Sequence, residues 1–292
     1  MAGKLIIIGG AEDKERDCEV LKEVAGAAGG GRGRIVIITT ATQNPRPAAK
    51  KCMKIFQRLG VGDVRAVEIE SRQDASGPKA LDALKGATCV FFTGGDQLRI
   101  TSILGGTAMG GALKELFERG LVIAGTSAGA SAVSSTMIVT GDEEDSPRKC
   151  TVKMAPGLDL LDGCVIDQHF AQRGRIGRLM CAVAQNPHVL GIGIDEDTAA
   201  VIDEGRLKVS GSGAVTVVDG STLSFSNVSE TMPDQPLALV GITIHVLPRG
   251  YGFDLIQRKP IYFKPQEDED ENTGEKDIQG QEHLQSQPGD KA

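Results

Sequence analysis

Ser127 stands where a serine can act as a nucleophile. Gly125-Thr126-Ser127-Ala128-Gly129 follows the apolar run Leu121-Val122-Ile123-Ala124 and opens a stretch of small residues able to begin a helix. A serine between two glycines at a strand-to-helix turn is the arrangement of a nucleophile elbow. Glycine removes the Cβ atoms that would collide in so tight a turn, and the amides that follow are placed to receive a developing oxyanion. Gly94-Gly95-Asp96-Gln97 ends the preceding apolar run, Cys89–Phe92, so the Gly95 amide can complete an oxyanion hole with that of Ala128.

A serine hydroxyl needs a base, and histidine titrates in the useful range. The chain has four histidines. His283 lies in a polar tail, His245 is enclosed by Ile244 and Val246 in a strand pattern, and His188 follows an Asn-Pro turn. His169 remains, at the point where Val165-Ile166-Asp167-Gln168 gives way to an arginine-bearing segment. A third group must orient the imidazole, usually a carboxylate. Asp195-Glu196-Asp197 follows the run Gly191-Ile192-Gly193-Ile194, and residue chemistry alone does not rank the three acids. The chain order serine, histidine, acid differs from that of the α/β-hydrolases, so the shared G-x-S-x-G is convergent.

The elements that must position these groups are short apolar strands separated by segments of helical length. Leu5–Ile8, Ile35–Ile38, Val64–Ile69, Cys89–Phe92 and Leu121–Ala124 alternate with stretches such as Asp13–Ala28 and Arg46–Leu59. That rhythm predicts βαβ crossovers and a mostly parallel sheet, with the active crevice at the strands' carboxyl ends. The absence of Trp and the presence of only two Tyr leave aliphatic residues to fill the core, as in a sheet covered on both faces. Beyond about residue 190 the spacing predicts β-hairpins: Ala199–Asp203 with Arg206–Val209, Ala214–Val218 with Ser221–Phe225, and Ile242–Leu247 with Tyr251–Ile256.

Residues 1–265 are expected to form one catalytic α/β domain and residues 266–292 an acidic, disordered tail. The tail carries nine acidic and two basic residues, a net −7 that equals the charge of the whole chain, so the body is balanced. Net positive charge for a nucleic-acid surface is therefore lacking. Neither a signal peptide nor a run of about 18 apolar residues is present, which predicts a soluble, cytoplasmic protein without membrane association. Six scattered cysteines, without C-x-x-C or histidine at ligand spacing, read as reduced, and neither metal nor organic cofactor is expected.

Taken together, Gly9-Gly10-Ala11-Glu12-Asp13-Lys14, Phe91-Phe92-Thr93-Gly94-Gly95-Asp96-Gln97, the Ser127 elbow, Asp167-Gln168-His169-Phe170, Gly191–Ala199 and Gly252-Phe253-Asp254-Leu255 resemble the cyanophycinases, serine peptidases related to aspartyl dipeptidase. The resemblance implies a three-layer α/β/α fold like that of class I glutamine amidotransferases, a homodimer, and a Ser127–His169–Glu196 triad. It thereby selects Glu196 among the three acids. It also implies cyanophycin as substrate, a polyaspartate backbone bearing arginine on each side-chain carboxylate, cleaved to β-Asp-Arg dipeptides. The alternative it leaves open is an aspartyl or isoaspartyl dipeptidase on short peptides. Arg173, Arg175 and Arg178 would then meet substrate carboxylates through their guanidinium forks. Gln97, Asp167 and Gln168 would orient the substrate, Asp167 as a partner of its cationic arginine.

Overall fold

A computed structural model describes residues 3–263 apart from 142, 144 and 145, so the expected acidic tail lies outside the described residues. Five parallel strands form half of a nine-stranded sheet: β1 (Leu5–Ile8), β2 (Arg34–Ile38), β3 (Asp63–Val67), β4 (Cys89–Phe92) and β5 (Val122–Thr126), in the lateral order β3-β2-β4-β5-β1. Apart from the edge strand β3, which carries Asp63 and Arg65, the strands are nearly continuous runs of buried apolar and small residues because both faces are covered. Along β1, Leu5 and Ile7 enter one core cluster while Ile6 and Ile8 enter the other. Helices α1 (Glu19–Ala27) and α2 (Pro45–Arg58) cover the second face; α3 (Arg72–Ser76), α4 (Pro78–Leu84), α5 (Gln97–Leu104) and α6 (Ala108–Glu118) cover the first. The first helix is shorter than its spacing predicts. The Asp13 carboxylate accepts the amides of Glu15, Arg16 and Cys18, and this local turn replaces the first helical hydrogen bonds.

After the serine turn come α7 (Ala128–Ser131) and the antiparallel pair β6 (Thr136–Gly141) and β7 (Val152–Pro156). Then follow β8 (Cys164–Gln168), α8 (Ile176–Gln185) and β9 (Leu190–Ile194), with β8 and β9 parallel. The hairpin of β10 (Thr198–Asp203) and β11 (Arg206–Gly211) forms as expected and extends the large sheet, β10 lying antiparallel to β1.

The other two expected hairpins do not form. β12 (Ala214–Asp219) pairs with β9 and with β15 (Thr243–Pro248), completing a second sheet of order β15-β12-β9-β8. Ser221–Phe225 turns away instead, because the Asp219 carboxylate accepts the Ser221 amide and Leu223 bonds back to Gly220. Only Phe225–Ser226 (β13) is extended, against Leu239–Val240 (β14). β16 (Tyr251–Asp254) leaves β15 for the large sheet, where it pairs with β11 and β17 (Lys259–Tyr262). A tight turn between alternating strands allows a hairpin, but here each strand buries more against a distant partner: Leu247 is 5% and Phe253 0% exposed.

Candidate active site

The elbow is built as its glycines suggest. Ser127 adopts φ 53° and ψ −110°, a strained conformation for any residue with a Cβ. A Cβ on Gly125 would lie 2.4 Å from the Gly129 carbonyl oxygen, and one on Gly129 would lie 2.6 Å from that of Phe92. Larger residues at either position would force β5, α7 and β4 apart. The Ser127 amide donates to the last carbonyl of β1, at Ile8 (3.0 Å), while its own carbonyl accepts the Ala130 and Ser131 amides.

His169 follows β8 and also has positive φ, 49°. Its amide donates to Gly9 at 2.8 Å, which docks the end of the second sheet onto the end of β1. The imidazole lies hard against Gly10: a Cβ there would be 2.4 Å from Cε1 and 2.5 Å from Nε2. In this pose His169 Nε2 is 3.0 Å from Ser127 Oγ, and Nδ1 is 2.6 Å from Glu196 Oε1.

The three adjacent acids have three different tasks. Asp195 accepts the amides of Ala171 and Ala214, and Asp197 accepts the Asp13 amide and the Ser212 hydroxyl. Both tie loops together. Glu196 alone turns to the imidazole, its backbone held by the Gln172 side chain at 3.0 Å. The result is one hydrogen-bonded line, hydroxyl to imidazole to carboxylate, drawn from the ends of β5, β8 and β9. The amides of Gly95 and Ala128 engage no acceptor among the described residues. The exit of β4 lies against the serine, a Cβ on Gly94 being 3.5 Å from Ser127 Cβ. Among the described residues, no group of three His, Cys, Asp or Glu side chains is placed to hold a metal ion.

The expected substrate-binding residues divide sharply. Asp167 is 1% exposed; its oxygens receive Arg178 Nε at 2.6 Å, Arg178 Nη2 and the Gln168 amide, with Arg175 Nη1 at 3.5 Å. Its carboxylate is therefore occupied within the protein, paired with Arg178 rather than presented to solvent. Arg178 is spent on the same pair. Arg175, 4% exposed, donates to the carbonyl and side chain of Gln168 and to Glu143. Its hydrogen bond holds the Glu143 carboxyl below the ordinary carboxylate range, against a smaller opposing effect of burial. Gln97 opens α5 and donates to the carbonyls of Ile138 and Val139 on β6. Arg173 differs from its neighbours, with its side chain 47% exposed and, among the described residues, a single ion pair, 3.6 Å from Glu143. Residue types do not mark Glu143 or Gly10 as part of this site; for Gly10 the signal was its place at the carboxyl end of β1.

Residues 5–210 match the family model described as peptidase family S51. The chain belongs to peptidase family S51. It is a hydrolase of the serine-peptidase type, and similar proteins extend the likeness beyond the matched segment. A cyanophycinase of Trichormus variabilis (strain ATCC 29413 / PCC 7937) is 38% identical over 256 residues, 87% of this chain and 86% of the relative. A cyanophycinase of Geminocystis herdmanii (strain PCC 6308) is 34% identical over 263 residues, 89% and 97% of the two chains. The crystal structure of a peptidase from an acI-B1 Actinobacterium superposes with a TM-score of 0.62 at 21% identity, covering 90% of this chain and 98% of that one, and so shares its fold. Among the described residues no helix is long and apolar enough to cross a membrane.

Proposed function

We propose that this S51 peptidase is a cyanophycinase that releases β-Asp-Arg dipeptides from cyanophycin through an acyl-enzyme on Ser127. The identity to cyanophycinases over most of both chains supports the substrate. The observation that carries the chemistry is the unbroken line from Ser127 Oγ through His169 to Glu196. His169 Nε2 takes the hydroxyl proton as Oγ bonds to an aspartyl backbone carbonyl carbon, and Glu196 stabilises the resulting imidazolium. The Gly95 and Ala128 amides receive the oxyanion. As the tetrahedral adduct collapses, the C–N bond breaks and His169 delivers its proton to the departing amine. Water then adds to the ester with His169 as base, the C–Oγ bond breaks, and the serine recovers its proton.

Within this reading Arg173 is the arginine that meets a substrate carboxylate, since its side chain is 47% exposed and its ion pair with Glu143 is long, 3.6 Å, while Arg175 and Arg178 are buried in closer pairs. Residues 1–265 act as one catalytic unit in a cytoplasmic homodimer, a state that sedimentation of the purified protein measures. The decisive experiment is Ser127→Ala on cyanophycin, with soluble products weighed by mass spectrometry; kcat should fall by roughly 10⁴–10⁶-fold with folding intact. Equal release of β-Asp-Arg by both proteins would overturn the reading. Turnover of short aspartyl peptides without attack on the polymer would assign the site to a dipeptidase.

A further inference from the structure

The residue immediately before the serine makes a buried contact that the chemistry above does not use. Thr126 Oγ1 donates to Glu12 Oε2 at 2.6 Å, and the other carboxylate oxygen lies 2.9 Å from Lys14 Nζ. Glu12 is 5% exposed and Thr126 8%. A carboxylate so deeply placed is costly unless it is paired and hydrogen-bonded, and here it has one of each partner.

Two threonines beside it act as internal controls. Phe92 is in register with Gly125, and Ile38 with Phe92, so one residue further along Thr39, Thr93 and Thr126 form a row across β2, β4 and β5. Ile37, Phe91 and Ala124, two residues earlier, all belong to the core under α1 and α2, and strand alternation sends the three threonines to that same face. Thr39 is 1% and Thr93 5% exposed, and both hydroxyls lack a partner among the described residues. A threonine at the end of a buried strand thus does not find a hydrogen bond by itself. Thr126 finds one because Glu12 is delivered to it by the turn after β1.

We infer that Glu12 is a positioning residue for the nucleophile, acting through Thr126, with Lys14 as its counter-charge. The inference rests on Ser127 being that nucleophile. Backbone held at φ 53°, ψ −110° persists only where its surroundings over-determine it. The Ile8 carbonyl fixes the Ser127 amide from one side, and the Thr126–Glu12 bond fixes the preceding residue from the other. Without that bond Thr126 can rotate about its backbone, the elbow relaxes, and Oγ drifts from His169 Nε2.

Thr126→Val keeps the branched shape and removes only the hydroxyl. Both kcat on cyanophycin and the rate of covalent labelling of Ser127 by a serine-directed reagent should fall about ten- to a hundredfold at unchanged KM, the scale set by a sub-ångström to ångström misplacement. Thr126→Ser should recover both to within about threefold, and Thr39→Val should leave both within about twofold, since additivity holds for positions that share no partner. Glu12→Leu, which removes the acceptor of the Thr126 hydroxyl altogether, should reproduce the loss. Wild-type labelling and turnover per folded molecule in Thr126→Val would overturn the inference, as would a lowered melting temperature with no change in kcat. Ser127→Ala run alongside separates the two levels: activity in that variant removes the nucleophile assignment itself, whereas an inactive Ser127→Ala with a fully active Thr126→Val removes only the role of Glu12.

Discussion

Gly10→Ala is the most direct test of how the imidazole is held. The added methyl would sit 2.4 Å from His169 Cε1 and 2.5 Å from Nε2, whereas carbon atoms rest about 3.5–4.0 Å apart. The ring must therefore retreat by roughly 1 Å. Its freedom to do so sideways is limited, because the His169 amide is bonded to Gly9 and Nδ1 to Glu196. Retreat along the 3.0 Å Oγ···Nε2 contact stretches it towards about 4 Å, and retreat across it carries the Nε2 lone pair out of line with Oγ, so either way the hydrogen bond is weakened or lost. Moving Gly10 instead disturbs the acid turn, since its carbonyl accepts the Asp197 amide at 2.9 Å. Misplacement on this scale costs about 10²-fold in rate. Gly10 also lies at φ +98°, which penalises alanine by about 1–2 kcal/mol. The expected variant is folded, modestly less stable in urea, and at least about a hundredfold lower in kcat/KM for cyanophycin, with labelling of Ser127 slowed in parallel. A folded Gly10→Ala enzyme that keeps kcat/KM within about threefold of wild type would refute the steric argument, because the methyl would then have been absorbed without moving the base.

Two further outcomes follow from the buried charges. Arg178→Met leaves Asp167 buried without its principal partner and should lower unfolding free energy by about 3–5 kcal/mol; an unchanged urea midpoint would refute a structural assignment of that pair. Burial tends to raise the Asp219 pKa, but hydrogen bonds from the Ser221 amide and hydroxyl and from Arg258 outweigh it and leave the carboxyl below its ordinary value. Its stabilising effect is therefore fully present above the unfolded carboxylate range, near pH about 4, and is lost as pH falls through the lower folded value. Between pH 6 and pH 3, as rough reference points, wild type should lose more stability than Asp219→Asn; equal losses in urea titrations would contradict the shift.

What could be read along the chain was whatever depends on neighbours in sequence. The Ser127 elbow was legible because its strain is local: small residues at 125 and 129 around a serine, after an apolar strand, admit few other turns. The parallel half of the large sheet was legible because strands buried on both faces must be apolar throughout. The strand partners after residue 190 were not. Alternation marks 214–219 and 243–248 as half-buried strands, but it says nothing about which strand lies beside them, and here the partners were each other and β9 rather than their sequence neighbours.

The same division runs through the site. Elimination among four histidines reaches His169, since few positions compete, but Asp195, Glu196 and Asp197 share charge, spacing and exposure pattern. Family likeness favours Glu196; tertiary contacts supply the physical distinction, because the flanking acids are used on backbone amides of other loops. The arginine run shows the converse. In sequence Arg173, Arg175 and Arg178 are equivalent cations, and only folding buries two of them against Glu143 and Asp167 while leaving Arg173 about half-exposed beside Glu143. Residue type sets what a group can do chemically, and local pattern sets the turn or strand that carries it. Which groups meet, and which are already satisfied before any substrate arrives, depends on contacts between residues tens to hundreds of positions apart, and those exist only once β1, β5, β8 and β9 have converged.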